Sequence, residues 1–569
     1  MPFAITQTCC SDASCVSVCP VNCIHPTPEE REFGSTDMLH VDPRSCIDCG
    51  ACADACPVDA IFPISELTGP DRVYAEINSA WYGDGTRDVA PAEHAEHTPA
   101  GEPVGDGTVA AGAGPTTDEM PPLPRRTRRP VEADGSESPN FHRWSTPTFE
   151  RALPGDFPAI RVAVVGTGPA GMYAVQDLVL HTPAQVTLVD RLTTWGGLAK
   201  YGVAPDHPAT RRVVHSYRRY LDHPRVDVQL GVAVVDPASG AKGLSHADLM
   251  AHHDAVVYAV GARGDRRLGI PGEDLPGSLP ATEVVGWYTG HPDVDAAAVD
   301  VRGAGRPEDA RAVVVGTGNV ALDVARVLVG GADRLEGTEA APHAVAALRT
   351  SVVREVLLLG RRGPDAAAFT VPELLALQAM PGVEVVLDVG DPATAAVVEE
   401  AAAQHAGRAT RWTDKAAVLA ELPRATVDWS APPSPGRRVV LRFGSAPVEV
   451  LGADRVTGLR VTGADGGGGT RDVACGLVVR AVGHRASPVP GLPWDEATAT
   501  VPHEAGRVVG VPGAYVAGWV KRGPSGGIGA NRFCAQETIG TLLADAVAGR
   551  LPAPTGSPRS FARLARRAR

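Results

Sequence analysis

Five cysteines lie within fifteen residues near the start of the chain, a density that is typical of metal or cluster binding. They are Cys9, Cys10, Cys15, Cys19 and Cys23. Thiolates ligate both zinc and iron–sulfur clusters, and the spacing between the thiols differs between the two kinds of site. The intervals between these cysteines therefore decide which site the segment predicts.

A second run of cysteines follows the spacing used for iron–sulfur clusters. Cys46, Cys49, Cys52 and Cys56 are separated by two, two and three residues, and Pro57 follows the last of them. When two clusters are present, the last Cys of such a run ligates the other cluster. Zinc sites usually pair two short Cys knuckles across a longer gap and have no need of a final Cys-Pro. The run therefore favours iron–sulfur clusters over zinc.

The opening cysteines keep the same intervals with one ligand changed, because the second position holds Asp12. A carboxylate is a harder and weaker ligand for iron than a thiolate, so the iron facing it should be labile. Cross-ligation predicts one [4Fe-4S] cluster and one cluster that is either [3Fe-4S] or an Asp-ligated [4Fe-4S]. The first is assigned to Cys19, Cys46, Cys49 and Cys52, and the second to Cys9, Asp12, Cys15 and Cys56.

Two details of these assignments stay open. Cys10 can replace Cys9 as a ligand, but it would break the interval to Cys15. We therefore interpret Cys10 and Cys23 as non-ligand thiols near the clusters. Asp12 has a second interpretation, as a surface turn residue.

Two glycine-rich turns occur later, each between an apolar strand and a helix. The first follows residues 161–165 and contains Gly166, Gly168 and Gly171, and the second follows residues 311–315. Such glycines permit a tight turn that brings backbone N–H groups against a pyrophosphate at the helix N-terminus. A single turn of this kind is weak evidence, whereas two in the same strand and helix context are much stronger.

The ends of the next strands distinguish the two ligands. Asp190 ends residues 185–190, where a carboxylate can accept hydrogen bonds from a ribose diol and would repel a 2′-phosphate. Arg361 and Arg362 stand at the corresponding place after residues 355–359, where two guanidinium groups match a 2′-phosphate. The first turn therefore suits FAD or NAD, and the second suits NADP(H).

These sites together predict a conversion between two-electron hydride transfer and one-electron transfer. NADPH gives up a hydride, clusters accept one electron at a time, and flavin can do both. A disulfide-exchange activity lacks its thiols, because Cys475 and Cys534 stand alone and are interpreted as core residues.

Composition limits the class of protein further. The 569 residues are 44% hydrophobic, which supports packed cores, and the net charge of −13 argues against general nucleic-acid binding. Ten acidic and two basic residues give residues 1–66 a charge of −8. No signal-peptide pattern and no run of 18 apolar residues occurs, so we expect a cytoplasmic protein with no membrane partner.

The expected fold class is α/β, with two Rossmann-like dinucleotide-binding domains for FAD and NADP preceded by a small α+β bacterial ferredoxin domain. The expected boundaries are a two-cluster ferredoxin-like domain at 1–66, a flexible linker at 67–155, a discontinuous FAD domain at 156–263 and 482–557, an NADP domain at 264–481, and a basic tail at 558–569.

Residues from about 155 onward resemble ferredoxin–NADP reductases of the adrenodoxin-reductase type. The whole chain is similar to the actinobacterial fusion of a seven- or eight-iron ferredoxin with such a reductase. The segments that carry the resemblance include VAVVGTGPAGMYA (162–174), GGLAKYGVAPDH (196–207), VVVGTGNVALDVAR (313–326), GRRGP (360–364), FTVPEL (369–374) and AYVAGWVKRGPSGGIG (514–529).

The resemblance implies a set of cofactor-binding residues, with His207 and Glu373 near the nicotinamide in positioning roles. Without it, His207 is interpreted as a loop or capping residue. For FAD the set is Gly171, Asp190, Leu198, Val234, Trp519, Gly526, Gly527 and Ile528. For NADP it is Arg266, Thr317, Gly318, Asn319, Val320, Arg361, Arg362, Glu373 and Gly526.

The function expected from residues and resemblance is that of an NADPH:ferredoxin oxidoreductase with its own ferredoxin domain. Expected partners are NADPH and electron-acceptor proteins, such as ferredoxins and cytochrome P450-type systems. The acidic first segment should dock on a basic reductase face. Two alternatives stay open: the electron-input subunit of a larger complex such as glutamate synthase, and a non-enzymatic iron–sulfur module with a vestigial flavin site.

Overall fold

The computed structural model describes residues 2–83, 153–154, 156–406, 412, 414–463 and 469–569. These residues form a small N-terminal unit and two larger α/β units, each built on a seven-stranded sheet. The predicted fold class is confirmed. Residues 84–152 and 155, which hold most of the predicted linker, lie outside the described residues.

The N-terminal unit, called the ferredoxin domain below, has two small antiparallel sheets and three helices. Strand β1 pairs with β4, and β2 pairs with β3. The two shortest helices, α1 and α2, each contain one cysteine of a run and begin after a residue with positive φ. The elements are β1 (Phe3–Ile5), α1 (Ser14–Val18), β2 (Ile24–His25), β3 (His40–Val41), α2 (Ala51–Ala55), β4 (Ile61–Pro63) and α3 (Val73–Tyr82).

Helix α3 corrects the predicted boundary between the ferredoxin domain and the linker at residue 66. The Asn78 carboxamide accepts hydrogen bonds from Ile5 N (3.0 Å) and Val41 N (2.8 Å) and donates one to Ile5 O. The Tyr82 hydroxyl donates to His40 O (2.7 Å). Because these side chains join β1 to β3, the ferredoxin domain extends at least to residue 83.

The first large unit begins with four parallel strands and five helices, and we call it the FAD unit. Apolar residues of β5 and β8 are completely buried at its centre. The elements are β5 (Arg161–Val165), α4 (Pro169–His181), β6 (Gln185–Asp190), α5 (Gly197–Tyr201), α6 (Pro208–Arg211), α7 (Val213–Leu221), β7 (Val226–Leu230), α8 (His246–His252) and β8 (Ala255–Tyr258).

The second large unit, called the NADP unit, contains an entirely parallel sheet in the order β10-β19-β11-β12-β15-β13-β14, with an additional antiparallel sheet of β16, β17 and β18. Its strands are β9 (Gly264–Asp265), β10 (Ser278–Pro280), β11 (Arg311–Val315), β12 (Glu355–Leu359), β13 (Val383–Asp388), β14 (Arg424–Ala425), β15 (Arg437–Arg442), β16 (Ser445–Leu451), β17 (Gly458–Gly463), β18 (Arg471–Ala474) and β19 (Leu477–Arg480). Its helices are α9 (Ala281–Thr289), α10 (Asn319–Gly330), α11 (Pro342–Arg349), α12 (Val371–Gln378), α13 (Pro392–Gln404) and α14 (Lys415–Ala420).

The chain then returns to the FAD unit and completes its sheet in the order β21-β22-β23-β8-β5-β6-β7. Strand β23 is parallel to β8, whereas β21 and β22 add an antiparallel edge. Strand β20 pairs with β9 where the chain passes between the two large units. The elements are β20 (His484–Arg485), β21 (His503–Glu504), β22 (Arg507–Val508), β23 (Ala514–Val516), α15 (Trp519–Arg522), α16 (Ala530–Val547) and α17 (Pro558–Ala568).

Helix α17 differs from the basic tail predicted for residues 558–569. Ser557 caps it through a hydrogen bond from Ser560 N, and Phe561, Ala565 and Ala568 are buried against the FAD unit. The arginines therefore lie on the exposed face of a packed amphipathic helix. Within the described residues, no helix is both long and apolar enough to cross a membrane.

Candidate functional site

The cysteines of the ferredoxin domain line two separate cavities. The first thiol cavity is lined by Cys9, Cys10, Asp12, Cys15 and Cys56, with apolar residues of β1 and β4 beside them. Both cysteine runs contribute to it, because Cys56 ends the second run. Thiolates converging on one enclosed apolar space fit an iron–sulfur cluster.

The second thiol cavity is lined by Cys19, Cys23, Cys46, Cys49 and Cys52. It also takes ligand candidates from both runs, since Cys19 ends the first. Part of its rim is exposed to solvent, because Cys49 is exposed and Ile47 retains 58% of its accessible surface. The crossing of the two runs is the arrangement that the intervals predict.

Cys10 lines the first thiol cavity and Cys23 lines the second. The Cys23 and Cys19 sulfur atoms are 3.5 Å apart, and hydrogen bonding from Cys23 lowers the pKa of Cys19 and of Cys46 to about 6. A thiol in this position can support cluster ligands through hydrogen bonds without ligating iron, which fits the interpretation of Cys23 as a non-ligand thiol. Cys10 lines the first thiol cavity directly, so geometry allows it as a ligand as well as Cys9.

Asp12 is buried at the first thiol cavity rather than exposed in a surface turn. Its carboxylate accepts hydrogen bonds from Ser14 N (3.2 Å) and the Ser14 hydroxyl, and Arg532 Nη1 lies 3.7 Å from Oδ2. The interpretation of Asp12 as an exposed turn residue is therefore wrong. The hydrogen bonds fix the orientation of the carboxylate, and each of its oxygens keeps a further lone pair, so Asp12 is still able to ligate iron.

The first glycine turn needs glycine for steric reasons. Gly166 has φ of 110°, and a Cβ atom on it would overlap the carbonyl of Ala259. A Cβ on Gly171 would overlap the Gly166 carbonyl, so helix α4 can begin directly against the turn. Gly168 is the N-cap of α4. A glycine turn of this kind brings backbone N–H groups to a helix N-terminus, where they can bind a pyrophosphate.

Asp190 and Leu198 lie beside this turn. The Asp190 carboxylate accepts hydrogen bonds from Thr167 N (2.8 Å), the Thr167 hydroxyl (2.6 Å) and Leu192 N (2.8 Å), which fixes its position at the end of β6. A Cβ on Gly197 would lie 2.7 Å from Gly168 Cα, so α5 starts in contact with the turn and carries Leu198. Leu198 remains 37% exposed, as expected for a residue that packs on a ligand.

Val234 lies after β7 in the first part of the FAD unit and forms an isolated β-bridge with Leu244. The other predicted FAD residues lie after β23, where the chain has returned to this unit. The Trp519 indole donates to Ser525 O (3.1 Å) and Gly526 O (3.2 Å), which holds the glycine-rich stretch against the ring. Gly526 and Gly527 are exposed, and Ile528 is partly buried. A backbone without side chains beside an indole can approach a flat ring system closely.

The second glycine turn is tied to α12. Gly318 is the N-cap of α10, and Gly316 has φ of 132°. Asn319 Oδ1 accepts a hydrogen bond from Thr370 N (2.8 Å), and Thr370 is the N-cap of α12. Thr317 and Val320 are partly buried in the same turn. Because Glu373 lies in the first turn of α12, it is brought next to the predicted NADP turn.

Arg361 and Arg362 are both exposed immediately after β12. Strand β12 neighbours β11, so its end lies at the same sheet edge as the second glycine turn. Arg266 is also exposed and lies in the crossover between the FAD and NADP units, with its amide donating to Gly483 O (3.0 Å). These three guanidinium groups are available to bind phosphate.

Five charged or titratable residues form a buried group that we call the Arg326 cluster: Arg326, Asp206, His207, Asp323 and Glu373. Arg326 is completely buried, and its guanidinium lies 2.7 Å from Asp206 Oδ2, 2.5 Å from Asp323 Oδ1 and 3.3 Å from Glu373 Oε2. His207 Nε2 lies 3.3 Å from Asp323 Oδ1 and 3.5 Å from Glu373 Oε2. His207 and Asp206 belong to the FAD unit and the others to the NADP unit, so the cluster joins the two.

The charges within the Arg326 cluster shift its pKa values. Burial and the charge of Arg326 lower the pKa of His207, but the hydrogen bond and charge of Asp323 and the charge of Glu373 outweigh them and raise it. Burial and the neighbouring Asp323 raise the pKa of Glu373 against the opposing effect of His207 and Arg326. The structure thus places the two residues predicted near the nicotinamide in direct contact.

Sequence reasoning missed Asp206, Asp323 and Arg326 as members of this site. Asp323 and Arg326 are three residues apart on α10, whose other central residues are apolar. Charged residues at that spacing on a buried helix must have partners, because unpaired buried charges are costly. That signal was available in the sequence, whereas the partner Asp206 comes from a distant loop.

The fold and sites define a class: flavin- and nicotinamide-dependent oxidoreductases joined to an iron–sulfur domain. Two family models match the chain, the pyridine nucleotide-disulphide oxidoreductases over residues 160–357 and the 4Fe-4S binding domains over residues 39–62.

A probable ferredoxin/ferredoxin–NADP reductase of Mycobacterium tuberculosis is 42% identical, covering 99% of this chain and 87% of that protein. The Mycobacterium leprae protein of the same description is 39% identical, covering 99% of this chain and 90% of that protein. The structure of Mycobacterium tuberculosis FprA in complex with NADPH is similar with a TM-score of 0.61 and 36% identity, covering 72% of this chain and 90% of FprA. The chain belongs to the ferredoxin/ferredoxin–NADP reductase family.

Proposed function

We propose that this protein is an NADPH:ferredoxin oxidoreductase that carries its own ferredoxin domain. The observation that carries the proposal is the combination, in one chain, of two dinucleotide folds with opposite charges at their strand ends and two thiol cavities. FAD, when bound, supplies the exchange between a hydride and single electrons. The reaction is reversible in principle.

The NADP unit supplies recognition of the 2′-phosphate in this proposal. Arg361 and Arg362 are exposed at the edge of the sheet beside the second glycine turn, and Arg266 adds a third positive charge. Guanidinium groups bind phosphate through paired hydrogen bonds. NADH lacks the 2′-phosphate, so these arginines distinguish NADPH from NADH.

The Arg326 cluster positions the nicotinamide and balances its charge. His207 and Glu373 are held in contact by Arg326, which is itself fixed by Asp206 and Asp323. Hydride transfer requires no acid or base on the carbon, so these residues act by orientation. His207 and Glu373 are held rigidly, because both are in contact with charged residues of the cluster and Arg326 is completely buried.

We assign the four-thiolate cluster to Cys19, Cys46, Cys49 and Cys52 in the second thiol cavity. The first thiol cavity is assigned to a cluster on Cys9, Cys15 and Cys56, with Asp12 facing the fourth iron. A carboxylate in place of a thiolate favours a labile fourth iron and therefore the [3Fe-4S] form. Free cysteines persist in reducing compartments, which favours the cytoplasm. We expect the acceptors to be electron-transfer proteins.

The test is anaerobic reduction of the purified full-length protein by NADPH. We expect flavin absorbance that bleaches on addition of NADPH, stoichiometric iron and sulfide, cluster EPR signals, and NADPH-dependent reduction of cytochrome c. A protein without flavin absorbance, or one that fails to reduce cytochrome c with NADPH, would contradict the proposal. A partner subunit that co-purifies in fixed ratio would instead indicate an electron-input subunit of a larger complex.

A further inference from the structure

The ferredoxin domain touches the FAD unit through the loop that carries the first thiol cavity. Gly529 N donates a hydrogen bond to Cys10 O (3.0 Å). A Cβ atom on Gly529 would overlap the backbone of both Cys10 and Ser11, so no larger residue fits there. The two backbones are therefore in direct contact.

Arg532 holds the same loop from the first turn of α16, which Gly529 precedes as the N-cap. Its guanidinium donates to Asp12 O (2.9 Å) and to the Ser14 hydroxyl (2.8 Å), and it lies 3.7 Å from Asp12 Oδ2. The arginine is largely buried, with 17% of its side-chain surface exposed. Charge-assisted bonds in a partly desolvated contact are among the stronger polar interactions. Residues 10–14 are thus fixed on α16 at both a glycine and an arginine.

A second contact lies close by and is apolar. The rings of Phe33 and Phe533 meet edge to face with their centroids 5.2 Å apart. Phe533 follows Arg532 on α16, so one short segment of the reductase supplies a hydrogen bond, an ionic contact and an aromatic contact. This combination is typical of a specific interface with a buried anchor.

The same reductase segment leads directly to the predicted flavin wall. Gly526 and Gly527 are exposed next to the Trp519 indole, and Gly529 follows three residues after Gly526. Three residues of chain span at most about 11 Å. The flavin wall and the first thiol cavity are therefore separated only by this short glycine-rich backbone and the Cys10 loop.

The second thiol cavity has a different surrounding. Cys49 and the neighbouring Ile47 and Asp48 are exposed to solvent. An exposed apolar residue beside a ligand thiol, flanked by a carboxylate, is suited to contact an external protein. The two cavities are thus arranged in series, one against the reductase and one toward solvent.

We propose that the contact of Gly529 and Arg532 with residues 10–14 is the docking interface through which electrons enter the ferredoxin domain at the first thiol cavity. The second thiol cavity is then the outlet to acceptor proteins. The inference rests on the function proposed above. Each NADPH supplies one hydride, equivalent to a proton and two electrons, and the two electrons cross the interface one at a time while the proton is released to solvent.

The test uses Gly529→Ala and Arg532→Gln in the full-length holoprotein. Under anaerobic conditions we expect both variants to bleach flavin absorbance with NADPH at the parental rate and to keep parental ferricyanide reduction, which draws electrons from the flavin directly. Cluster reduction, followed by freeze-quench EPR, should slow severalfold, because the rate of electron tunnelling falls steeply as the distance between the flavin and the cluster grows.

A structural measurement accompanies the kinetics. Hydrogen–deuterium exchange in peptides covering residues 9–14 and 526–533 should increase in both variants because the Gly529–Cys10 hydrogen bond is lost or weakened. The matched control is Gly469→Ala, since a Cβ on Gly469 meets open space in the NADP unit. It should change neither exchange nor electron transfer.

The outcomes separate the two proposals. If NADPH does not bleach the flavin of the parent protein, the proposed function fails. If the parent behaves as expected but both variants reduce their clusters at the parental rate, the docking interface is wrong and the proposed function stands. Should Gly529→Ala fail to fold, Arg532→Gln alone decides, because it removes charge without adding volume to the contact.

Discussion

Asp12 stands among the thiols of the first thiol cavity, and its neighbours hold its carboxylate in place. Ser14 donates two hydrogen bonds to its carboxylate, and Arg532 lies nearby. A thiolate at this position would be a softer ligand with greater affinity for iron. We therefore expect the identity of this one residue to affect how many irons the cavity retains.

Replacing Asp12 with Cys should convert a three-iron EPR signal into a four-iron one, since the new thiolate supplies the missing soft ligand. The measurement is low-temperature EPR of the oxidised and the dithionite-reduced protein, with iron quantification. Asp12→Ala is the matched control, because it removes the carboxylate without adding a thiol, and it should keep the three-iron signal. An unchanged spectrum in Asp12→Cys would remove position 12 from the site, and Cys10→Ser would then test the neighbouring thiol.

Replacing Arg361 and Arg362 together with Ala should raise the KM for NADPH far more than that for NADH. Loss of two charge-assisted hydrogen bonds to the 2′-phosphate, about 1.5–3 kcal/mol each, predicts an increase of about 100-fold or more. Steady-state ferricyanide reduction with both nucleotides measures it. Arg471→Ala, an exposed arginine on β18, is the control and should leave both KM values unchanged. Equal effects of the double variant on NADPH and NADH would refute the assignment.

Asp206 links the charge of the Arg326 cluster to stability. Burial opposes ionisation, but Arg326 and the hydrogen bonds from Arg326 and Arg334 outweigh it and lower the pKa of Asp206 from 3.8 to about 2. A lowered pKa stabilises the folded protein by about 2 kcal/mol above about pH 4, and this contribution is lost as the pH falls toward 2.

Asp206→Asn should therefore have a lower urea midpoint than the parent at pH 6, with the gap narrowing between pH 5 and pH 3. Tryptophan fluorescence during urea titration follows the transition. Asp274→Asn, at an exposed ionic contact with Arg267, provides the control and should keep a small, constant difference. A gap that stays constant or widens on acidification would show that Asp206 is not held ionised by Arg326.

At the level of elements, strands were the most predictable part of the fold. The bounds of β5, β6, β11 and β12 agree with the apolar runs in the sequence, because buried parallel strands are continuously hydrophobic. Helices α4 and α10 begin directly at the glycine turns, at Pro169 and Asn319. Helix α3 was not predicted, although Tyr74, Ile77 and Trp81 have helical spacing and are buried. The contacts of Asn78 with distant backbone groups are visible only in the structure.

Helix α17 was predicted only as a basic tail, since its many arginines obscure a narrow apolar face. Phe561 fills that face and contacts the rings of His252 and His253, with centroid distances of 5.5 Å and 4.8 Å. Only the structure reveals which surface it covers. The helix therefore belongs to the stability of the FAD unit.

Phe561→Ala should destabilise the FAD unit by about 3–5 kcal/mol, because it leaves a cavity under α17. The thermal midpoint of flavin release, read from flavin fluorescence, should fall by several degrees. Arg563→Ala on the exposed side of the same helix is the control, and surface changes of that kind are usually within about 0.5 kcal/mol. A midpoint equal to that of Arg563→Ala would mean that α17 does not support the unit.

On the scale of the whole molecule, the ferredoxin domain contacts both large units. Asp59 of the ferredoxin domain forms an ion pair of 2.6 Å with Arg212 of the FAD unit. Asp37 Oδ2 accepts a hydrogen bond from Val371 N (3.0 Å) of the NADP unit. The Asp59 pair and the Asp12–Arg532 pair have the sign predicted from the acidity of residues 1–66. The residues that form them could not be predicted, since chain spacing gives no distance between separate domains.

Asp37→Ala should loosen the start of α12, the helix that carries Glu373, because it leaves the Val371 amide without its acceptor. A lost hydrogen bond of about 1 kcal/mol predicts an increase of about fivefold in hydrogen exchange of the peptide covering residues 370–378. Asp37→Asn retains an acceptor oxygen and should stay close to the parent. Glu66→Ala, an exposed carboxylate of the same domain, is the control. Parental exchange in Asp37→Ala would show that the contact does not support the helix.

The hydrogen bond between Gly529 and Cys10 joins two parts of a single polypeptide, so contact between these parts does not depend on protein concentration. Two separate proteins meet at a rate set by their concentrations, whereas parts of one chain meet at a fixed effective concentration. The interface therefore needs little intrinsic affinity, and every reductase is matched with one ferredoxin domain at any expression level. Delivery of electrons to the first thiol cavity should accordingly follow first-order kinetics with a rate constant that is independent of protein concentration.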